Sequence, residues 1–178
     1  ECCDVGYIGN SVLFALPKNT ILEQKFGNKF KSWEIIQGNS KPLYENDPIN
    51  NLAIEGNPRE NFYTDFGSFC HLSGKVLDIG CGPSGKIPVY LKGTEKIVGV
   101  DPMTGNLLKE IPFCQAYGEF LPFRNNLFDH ITISSVLDHV FDSRMVLLEA
   151  QRVLIPGGKL HICLNLGNSI IRKIIKKL

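Results

Sequence analysis

The middle of the sequence holds a short apolar run that leads directly into a glycine cluster. Lys75–Ile79 is rich in aliphatic and β-branched residues, and glycines follow at positions 80, 82 and 85. A short, nearly continuous apolar strand is typical of a sheet that is buried on both faces. Glycines directly after such a strand allow a tight turn in which backbone amides come close to a ligand at the start of a following helix.

Further strands and helices alternate after this turn. The clearest helix is predicted over Ser143–Leu154, with Asp142 or Ser143 as its N-cap, and Pro156-Gly157-Gly158 is expected to stop it and turn the chain into a strand. Strands are predicted at Ile97–Val100, Phe113–Ala116, His130–Ser134 and Leu160–Leu164. Alternating strands and helices indicate βαβ units and a doubly wound, mostly parallel α/β sheet with helices on both faces.

The first 60 residues are less regular. They contain two turn-forming clusters, Gly38-Asn39-Ser40 and Asn46-Asp47-Pro48, with a short helix predicted within Ile21–Trp33. We therefore expect an irregular or helical N-terminal cap over residues 1–60 and a ligand-binding α/β domain over residues 61–178.

Composition restricts the possible classes of protein. The chain has 178 residues, is 43% apolar and carries a formal net charge of +1, which suits one folded domain and excludes disorder. Its longest apolar run, Val12–Leu16, is far too short to cross a bilayer. No signal peptide is visible, and six sparse cysteines without a C-x-x-C pair favour reduced thiols and a cytoplasmic location.

Charge is unevenly distributed along the chain. No acidic residue follows Glu149, and residues 1–149 carry 13 basic and 18 acidic side chains. Residues 1–149 are therefore acidic overall and show no patch in which aromatic and basic residues alternate, so no nucleic-acid partner is expected. Residues 168–178 form an amphipathic basic segment, which is predicted to be the next helix of the fold and could instead contact a membrane surface.

Six segments in order give the sequence its most specific signature. Asp101 ends the second strand 21 residues after Gly80. The segments are Val76–Gly85, Val98–Asp101, Gly118–Phe123, Asn126–Asp129, Ser134–His139 and Arg152–Gly158. Together they resemble the class I S-adenosylmethionine-dependent methyltransferases, in the type 11 or UbiE-like small-molecule branch, over about residues 72–166.

This resemblance implies a Rossmann-like fold and a pocket for S-adenosyl-L-methionine. Asp78 would lie near the amino group of the cofactor, and Ser134 near its sulfonium. Backbone contacts with the methionine part are implied for the turn residues Gly80, Cys81 and Gly82, and Pro83 is also expected to bind the cofactor. Contacts with the ribose and the adenine are implied for Asp101, Pro102, Met103, Tyr117, Gly118 and Glu119.

Some of these residues have simpler interpretations. Asp78 could bond local loop amides, Met103 could be plain core, and Glu119 could be a solvated loop acid. Tyr117 stands where the family commonly has an Asp that bonds the adenine amine; a phenol could stack on the adenine or offer its hydroxyl. The resemblance also implies two further strands after the final predicted helix, and we expect these to be missing from this chain.

Catalytic residues are harder to identify. His139 follows the fourth strand and could take a proton from an acceptor hydroxyl, or it could cap a helix or pack structurally. No nucleophile triad and no metal-ligand spacing is present.

The expected function is methyl transfer from S-adenosyl-L-methionine to a small-molecule acceptor. One alternative is a non-catalytic, methyltransferase-like binding or regulatory module. Another is an NAD(P)-dependent oxidoreductase, because Gly80, Gly82 and Gly85 also match the dinucleotide fingerprint. The sequence gives no indication of the oligomeric state.

Overall fold

The fold is organised around β3 (Lys75–Ile79), in which four of the five residues are buried. The computed structural model describes residues 8–9, 12–105 and 109–164. The other strands are β1 (Ile8–Gly9), β2 (Val12–Phe14), β4 (Lys96–Asp101), β5 (Phe113–Gln115), β6 (Phe128–Ser134) and β7 (Leu154–Cys163). The helices are α1 (Asn19–Phe26), α2 (Asn28–Asn46), α3 (Pro48–Asn51), α4 (Glu60–Cys70) and α5 (Ser143–Val153).

These strands form one sheet in the order β1-β2-β5-β4-β3-β6-β7. The pairs from β2 through β7 are parallel, and β1 pairs antiparallel with β2. The predicted α/β class and the positions of the five predicted strands are therefore confirmed.

Both faces of the sheet are covered, as its apolar strands require. Neighbouring residues of a strand point to opposite faces, and Val76 packs in the cluster that contains Phe66 of α4. Leu77 packs in the cluster that contains Val146 and Ala150 of α5. The predicted helix at Ser143–Leu154 is confirmed, and the carboxylate of Asp142 caps it by accepting the Met145 N–H at 3.1 Å.

The start of β7 differs from the prediction. Pro156-Gly157-Gly158 does not separate the helix from the strand, because β7 already begins at Leu154. Leu154 pairs with Phe128, and the next pair is His130 with Lys159. The residues of β7 between these two pairs outnumber those of β6, so they form an irregularity within β7.

Two local predictions in the loops were wrong. Gly38-Asn39-Ser40 lies inside α2, because the packing of this helix on the protein overrides the local turn preference. No α-helix follows the glycine turn, and residues 80–95 contain only the 3₁₀ turn Val89–Leu91. Pro83 and Pro88, together with the positive φ of Gly85, oppose a regular helix there.

The N-terminal region contributes to both the sheet and the helices. β2 pairs with β5, while α1, α2 and α3, here called the cap, follow it in the chain. The domain boundary at residue 60 stays a prediction. Within the described residues, no helix is long and apolar enough to span a membrane. The predictions for residues 168–178 and for missing final strands lie outside the described residues.

Gly67 provides a test of how closely α4 packs on the crossover between β3 and β4. A Cβ at Gly67 would lie 2.6 Å from the backbone oxygen of Tyr90, whereas a Cβ at Gly38 in α2 would meet nothing within 4 Å. Alanine normally stabilises a helix relative to glycine by roughly 0.5–1 kcal/mol. We expect Gly38→Ala to show that gain in urea unfolding, and Gly67→Ala to lose roughly 1–3 kcal/mol through overpacking. A gain at both positions would contradict the close packing.

Candidate cofactor site

A cavity of about 410 Å³ lies between the carboxyl ends of β3, β4 and β6 and the cap. Ligands of open α/β sheets bind outside the carboxyl ends of the strands, where helices leave a crevice. The volume is within the range of roughly 300–1,000 Å³ that is usual for small-molecule sites. The topology therefore places a ligand-sized cavity where the glycine turn was predicted to meet a ligand.

The glycine turn forms one wall of this cavity. Gly80 and Gly82 have φ values of 78° and 81°, which L side chains rarely adopt. A Cβ at Gly82 would also lie 2.8 Å from the Leu52 side chain. The Gly80 N–H donates to the Val100 carbonyl at 2.7 Å, so the turn is attached to the neighbouring strand.

Asp101, the last residue of β4, also holds the glycine turn in place by hydrogen bonding. Its buried carboxylate accepts the Gly82 N–H at 3.0 Å and the Met103 N–H at 2.8 Å. Burial raises the pKa of Asp101 to about 6, although both N–H groups favour the charged form. Each carboxylate oxygen retains a further lone pair, so Asp101 can also accept hydrogen bonds from a ligand.

Asp78 lies behind the cavity and does not line it. Its fully buried carboxylate accepts the Thr132 hydroxyl at 2.6 Å and the Tyr90 hydroxyl at 3.0 and 3.1 Å. Its partners are therefore hydroxyls, and not the loop amides of the simpler interpretation. Burial raises the pKa of Asp78 to about 7. Tyr90 does line the cavity. Asp78 therefore contributes to the cavity only indirectly, by orienting the Tyr90 phenol.

Glu119 supports the loop of residues 135–142. Its carboxylate is 2% exposed and accepts the N–H groups of Phe141 and Asp142, each at 3.0 Å. The interpretation as a solvated loop acid is therefore wrong, and a contact between Glu119 and a cofactor stays a prediction. Burial raises the pKa of Glu119 to about 7.

His139 lies on the same loop and lines the cavity with its side chain half exposed. Its carbonyl oxygen accepts the Trp33 indole N–H at 2.6 Å and the Gln37 amide N–H at 2.9 Å. Its Nε2 lies 3.7 Å from a carboxylate oxygen of Asp138. Since Asp142 is the residue that caps α5, the imidazole of His139 is not needed for that role.

Tyr117 joins the cavity to the cap. Its ring lies 5.3 Å from Trp33, 6.2 Å from Phe30 and 5.7 Å from Phe141, with edge-to-face geometry in each pair. Burial raises the pKa of the Tyr117 phenol to about 12, so it stays protonated near neutral pH. The position where the family usually has an Asp therefore packs against α2 while still lining the cavity.

The structure brings together every predicted site residue except Asp78. Besides the residues described above, the cavity is lined by Cys81, Pro83, Pro102, Met103, Gly118 and Ser134. Their individual roles toward a cofactor stay predictions.

Several lining residues were missed by the sequence prediction. They come from the cap, from α4 and from the crossover after β3, and include Trp33, Gln37, Ser40, Tyr44, Arg59, Tyr63 and Tyr90. The four from α2 are spaced as one helical face, which is a detectable signal. Gly38-Asn39-Ser40 obscured it, since these residues indicated a turn in the middle of that helix.

Comparison with known proteins gives a family match and similar solved structures. Residues 77–162 match the family described as a methyltransferase domain. The structure is similar to the YcgJ protein from Bacillus subtilis, with a TM-score of 0.53 and 21% identity over 66% of this chain and 57% of that one. It is also similar to the PH0226 protein from Pyrococcus horikoshii, with a TM-score of 0.54 and 20% identity over 76% and 66% of the two chains. These structures show the shared Rossmann-like fold.

The chain is also similar in sequence to curated methyltransferases. The chain is 29% identical to a ubiquinone biosynthesis O-methyltransferase from Rhizobium rhizogenes over 78% of this chain and 60% of that protein. It is 35% identical to a demethylmenaquinone methyltransferase from Streptomyces griseus over 50% and 41% of the two chains. The chain thus spans about half the length of these relatives. The family match and these relatives support the predicted class, the class I S-adenosylmethionine-dependent methyltransferases of the UbiE-like branch.

Glu119→Gln tests the buried carboxylate of the cavity loop. Because the pKa of Glu119 is raised on folding, its contribution to stability is present at acid pH and is lost as the pH rises toward 7. Glutamine keeps an oxygen for the two N–H groups. We expect Glu119→Gln to gain stability relative to the unmodified protein between about pH 4 and 7, by up to about 1.4 kcal/mol per pH unit.

The measurement is urea unfolding of both proteins across this pH range. The difference between the unfolding free energies of the two proteins at each pH cancels the contribution of other buried groups, such as Asp78. Glu55→Gln, at an exposed glutamate that does not line the cavity, is the matched control and should give a flat curve. If the difference in unfolding free energy for Glu119→Gln did not change with pH, the charged carboxylate of Glu119 would not destabilise the folded protein.

Proposed function

We propose that this chain is a methyltransferase domain that binds S-adenosyl-L-methionine in the cavity and transfers its methyl group to a small-molecule acceptor. The main support is the bond from the Gly82 N–H to the Asp101 carboxylate, within the matched segment. This bond joins the glycine turn and the acidic strand end into one ligand-facing surface. The family match favours a methyl donor over the nicotinamide cofactor that glycine spacing alone would allow.

The residues present fit this cofactor. A Cβ at Gly82 would lie 2.8 Å from Leu52, so only glycine allows this close approach of the turn, which would hold the methionine part. Asp101 retains acceptor capacity for ribose hydroxyls. The phenol of Tyr117 and the backbone at Gly118 would border the adenine. The cavity is large enough for a nucleoside with an amino-acid tail.

The cofactor, when bound, supplies a methyl group on a positively charged sulfur. The acceptor would take this methyl group, and the sulfur would keep the electron pair of the broken carbon–sulfur bond. No strong nucleophile is required from the protein, so its residues mainly position the acceptor and exclude water. The packed aromatic side chains of the cap and Tyr117 close one side of the cavity against solvent.

His139 is the proposed general base for an acceptor that must lose a proton. Its imidazole is at the cavity wall, half exposed, with Nε2 3.7 Å from a carboxylate oxygen of Asp138. Its backbone is fixed by Trp33 and Gln37. A base held in this way can meet an acceptor hydroxyl with little reorganisation.

The acceptor is proposed to be a hydroxylated aromatic ring. The names of the two relatives, which concern ubiquinone and menaquinone, suggest this class. The acceptor side of the cavity is compatible with it, since Leu43, Val136 and Val140 provide apolar surface beside the phenol of Tyr44. Hydroxyl protons of such a ring would be the ones that His139 accepts.

Transfer of a labelled methyl group tests this proposal. The protein is incubated with S-adenosyl-L-methionine carrying a tritiated methyl group and with catechol or 1,4-naphthohydroquinone as probe acceptor. We expect labelled product, and a decrease of roughly 10²-fold or more in turnover for His139→Ala with unchanged affinity for S-adenosylhomocysteine. His71→Asn is the control, since this exposed histidine lies at the end of α4 and does not line the cavity.

Two results would contradict the proposal. Tight binding of S-adenosylhomocysteine without transfer to either acceptor would favour the non-catalytic binding module. Equal turnover in His139→Ala and His71→Asn would show that His139 is not the base.

A further inference from the structure

We propose that Lys109 is a positioning residue for cofactor binding, which holds the glycine turn through the carbonyl of Pro83 and keeps a positive charge near Asp101. The inference rests on the proposed function. It adds a residue that lies outside the six motif segments and does not line the cavity. The described residues between β4 and β5 carry it, because they form hydrogen bonds to the glycine turn and to the residues after it.

The carbonyl of Pro83 is the point at which Lys109 meets the glycine turn. It accepts the Lys109 ammonium group at 2.8 Å and the Gly105 N–H at 3.0 Å. Pro83 directly follows Gly82, whose N–H donates to the Asp101 carboxylate at 3.0 Å. Two consecutive residues of the turn are therefore fixed from two places, one by Asp101 at the end of β4 and the other by Lys109 and Gly105.

The ammonium group of Lys109 has a defined position. It lies 4.1 Å from the centre of the Phe113 ring, which is a cation–π distance. Phe113 is itself buried and packs with Cys81 of the glycine turn. The next residue, Glu110, donates its N–H to the Gly85 carbonyl at 2.7 Å, which fixes the backbone beside Lys109. The positive charge is therefore held in one place, outside the cavity and against the glycine turn.

This charge acts on the carboxylate of Asp101. Burial raises the pKa of Asp101 to about 6, while the N–H groups of Met103 and Gly82 and the charge of Lys109 act in the opposite direction. Among the described residues, Lys109 forms no salt bridge with a carboxylate, so its charge acts on Asp101 over a longer distance.

The other neighbours of Asp101 cannot replace this charge, because none of them is positive. The side chains concerned are Asp78 of β3, Cys81 of the glycine turn, Tyr44 of α2 and Gln115 of β5. A second negative charge at Asp78 would favour the protonated form of Asp101. Lys109 is therefore the side chain that opposes this effect of burial and of the neighbouring acid.

The charged form of Asp101 is the one that suits the proposed ribose contact. A carboxylate accepts stronger hydrogen bonds than a carboxylic acid, and it keeps its lone pairs for Gly82, Met103 and ligand hydroxyls. Protonation turns one oxygen into a donor and opposes these contacts. Affinity for the cofactor should therefore fall as the pH falls through about 6. Without the charge of Lys109, this fall should begin at a higher pH.

Calorimetric titration with S-adenosylhomocysteine at two pH values separates the charge of Lys109 from its structural contacts. Lys109→Gln removes the charge and keeps a side-chain donor for Pro83. The Gly105 and Glu110 contacts remain, so we expect only a small loss of affinity at about pH 8. The ratio of dissociation constants, variant to unmodified protein, should rise by roughly threefold or more between about pH 8 and about pH 5.5. A merely structural role would give the same ratio at both values.

Two further variants make the result specific. Lys109→Arg keeps the charge and should show the pH dependence of the unmodified protein. Lys96→Gln is the matched control for loss of a positive charge, because the exposed Lys96 begins β4 whereas Asp101 ends it. Its ratio of dissociation constants should be the same at both pH values.

A second readout needs no ligand. Carbon-13 NMR of the aspartate carboxyl groups follows the titration of Asp101 in the free protein, with its signal assigned from its loss in Asp101→Asn. We expect Asp101 to titrate at a higher pH in Lys109→Gln than in the unmodified protein, and at the same pH in Lys96→Gln.

The outcomes are distinguishable. If the unmodified protein binds S-adenosylhomocysteine but the ratio for Lys109→Gln does not change with pH, the role of Lys109 is wrong and the proposed function stands. An unchanged titration of Asp101 in Lys109→Gln would also contradict that role. If the unmodified protein does not bind S-adenosylhomocysteine at about pH 8, the proposed cofactor is wrong, and the role of Lys109 fails with it.

Discussion

The carboxylate of Asp101 is the contact on which the geometry of the site depends. It accepts N–H groups from Gly82 and Met103, while the preceding carbonyl of Val100 accepts those of Gly80 and Cys81. Two consecutive residues of β4 therefore satisfy four backbone donors around the turn. A buried carboxylate is tolerated only when hydrogen bonds compensate for lost hydration. The turn and the acid thus stabilise each other and fix the shape of the cavity wall.

The opposite wall depends on contacts between distant parts of the chain. Trp33 and Gln37 from the cap bond the carbonyl of His139, and Glu119 bonds the backbone two and three residues further on. Lys29 adds a salt bridge to Asp142 at 3.0 Å. The sheet edge therefore forms the proposed cofactor side, and the cap defines the side on which an acceptor would meet His139.

The sequence predicts the sheet better than the cap, for physical reasons. Buried parallel strands have continuous apolar residues, so β3, β4 and β6 are visible without tertiary information. The helix α2 depends on packing of Trp33 and Phe30 against the rest of the protein, which outweighs the turn preference of Gly38. In the site, glycine spacing indicates the turn. It cannot indicate that Asp78 bonds two hydroxyls instead of lining the cavity, because those partners come from other elements.

The most direct test of this account is calorimetric titration with S-adenosylhomocysteine, with NADPH as the control ligand. We expect S-adenosylhomocysteine to bind in the micromolar range and NADPH not to bind. We also expect Asp101→Ala to weaken the binding of S-adenosylhomocysteine by roughly tenfold or more, since a charged hydrogen-bond acceptor is removed. Binding of NADPH instead, or unchanged affinity for S-adenosylhomocysteine in Asp101→Ala, would contradict the account.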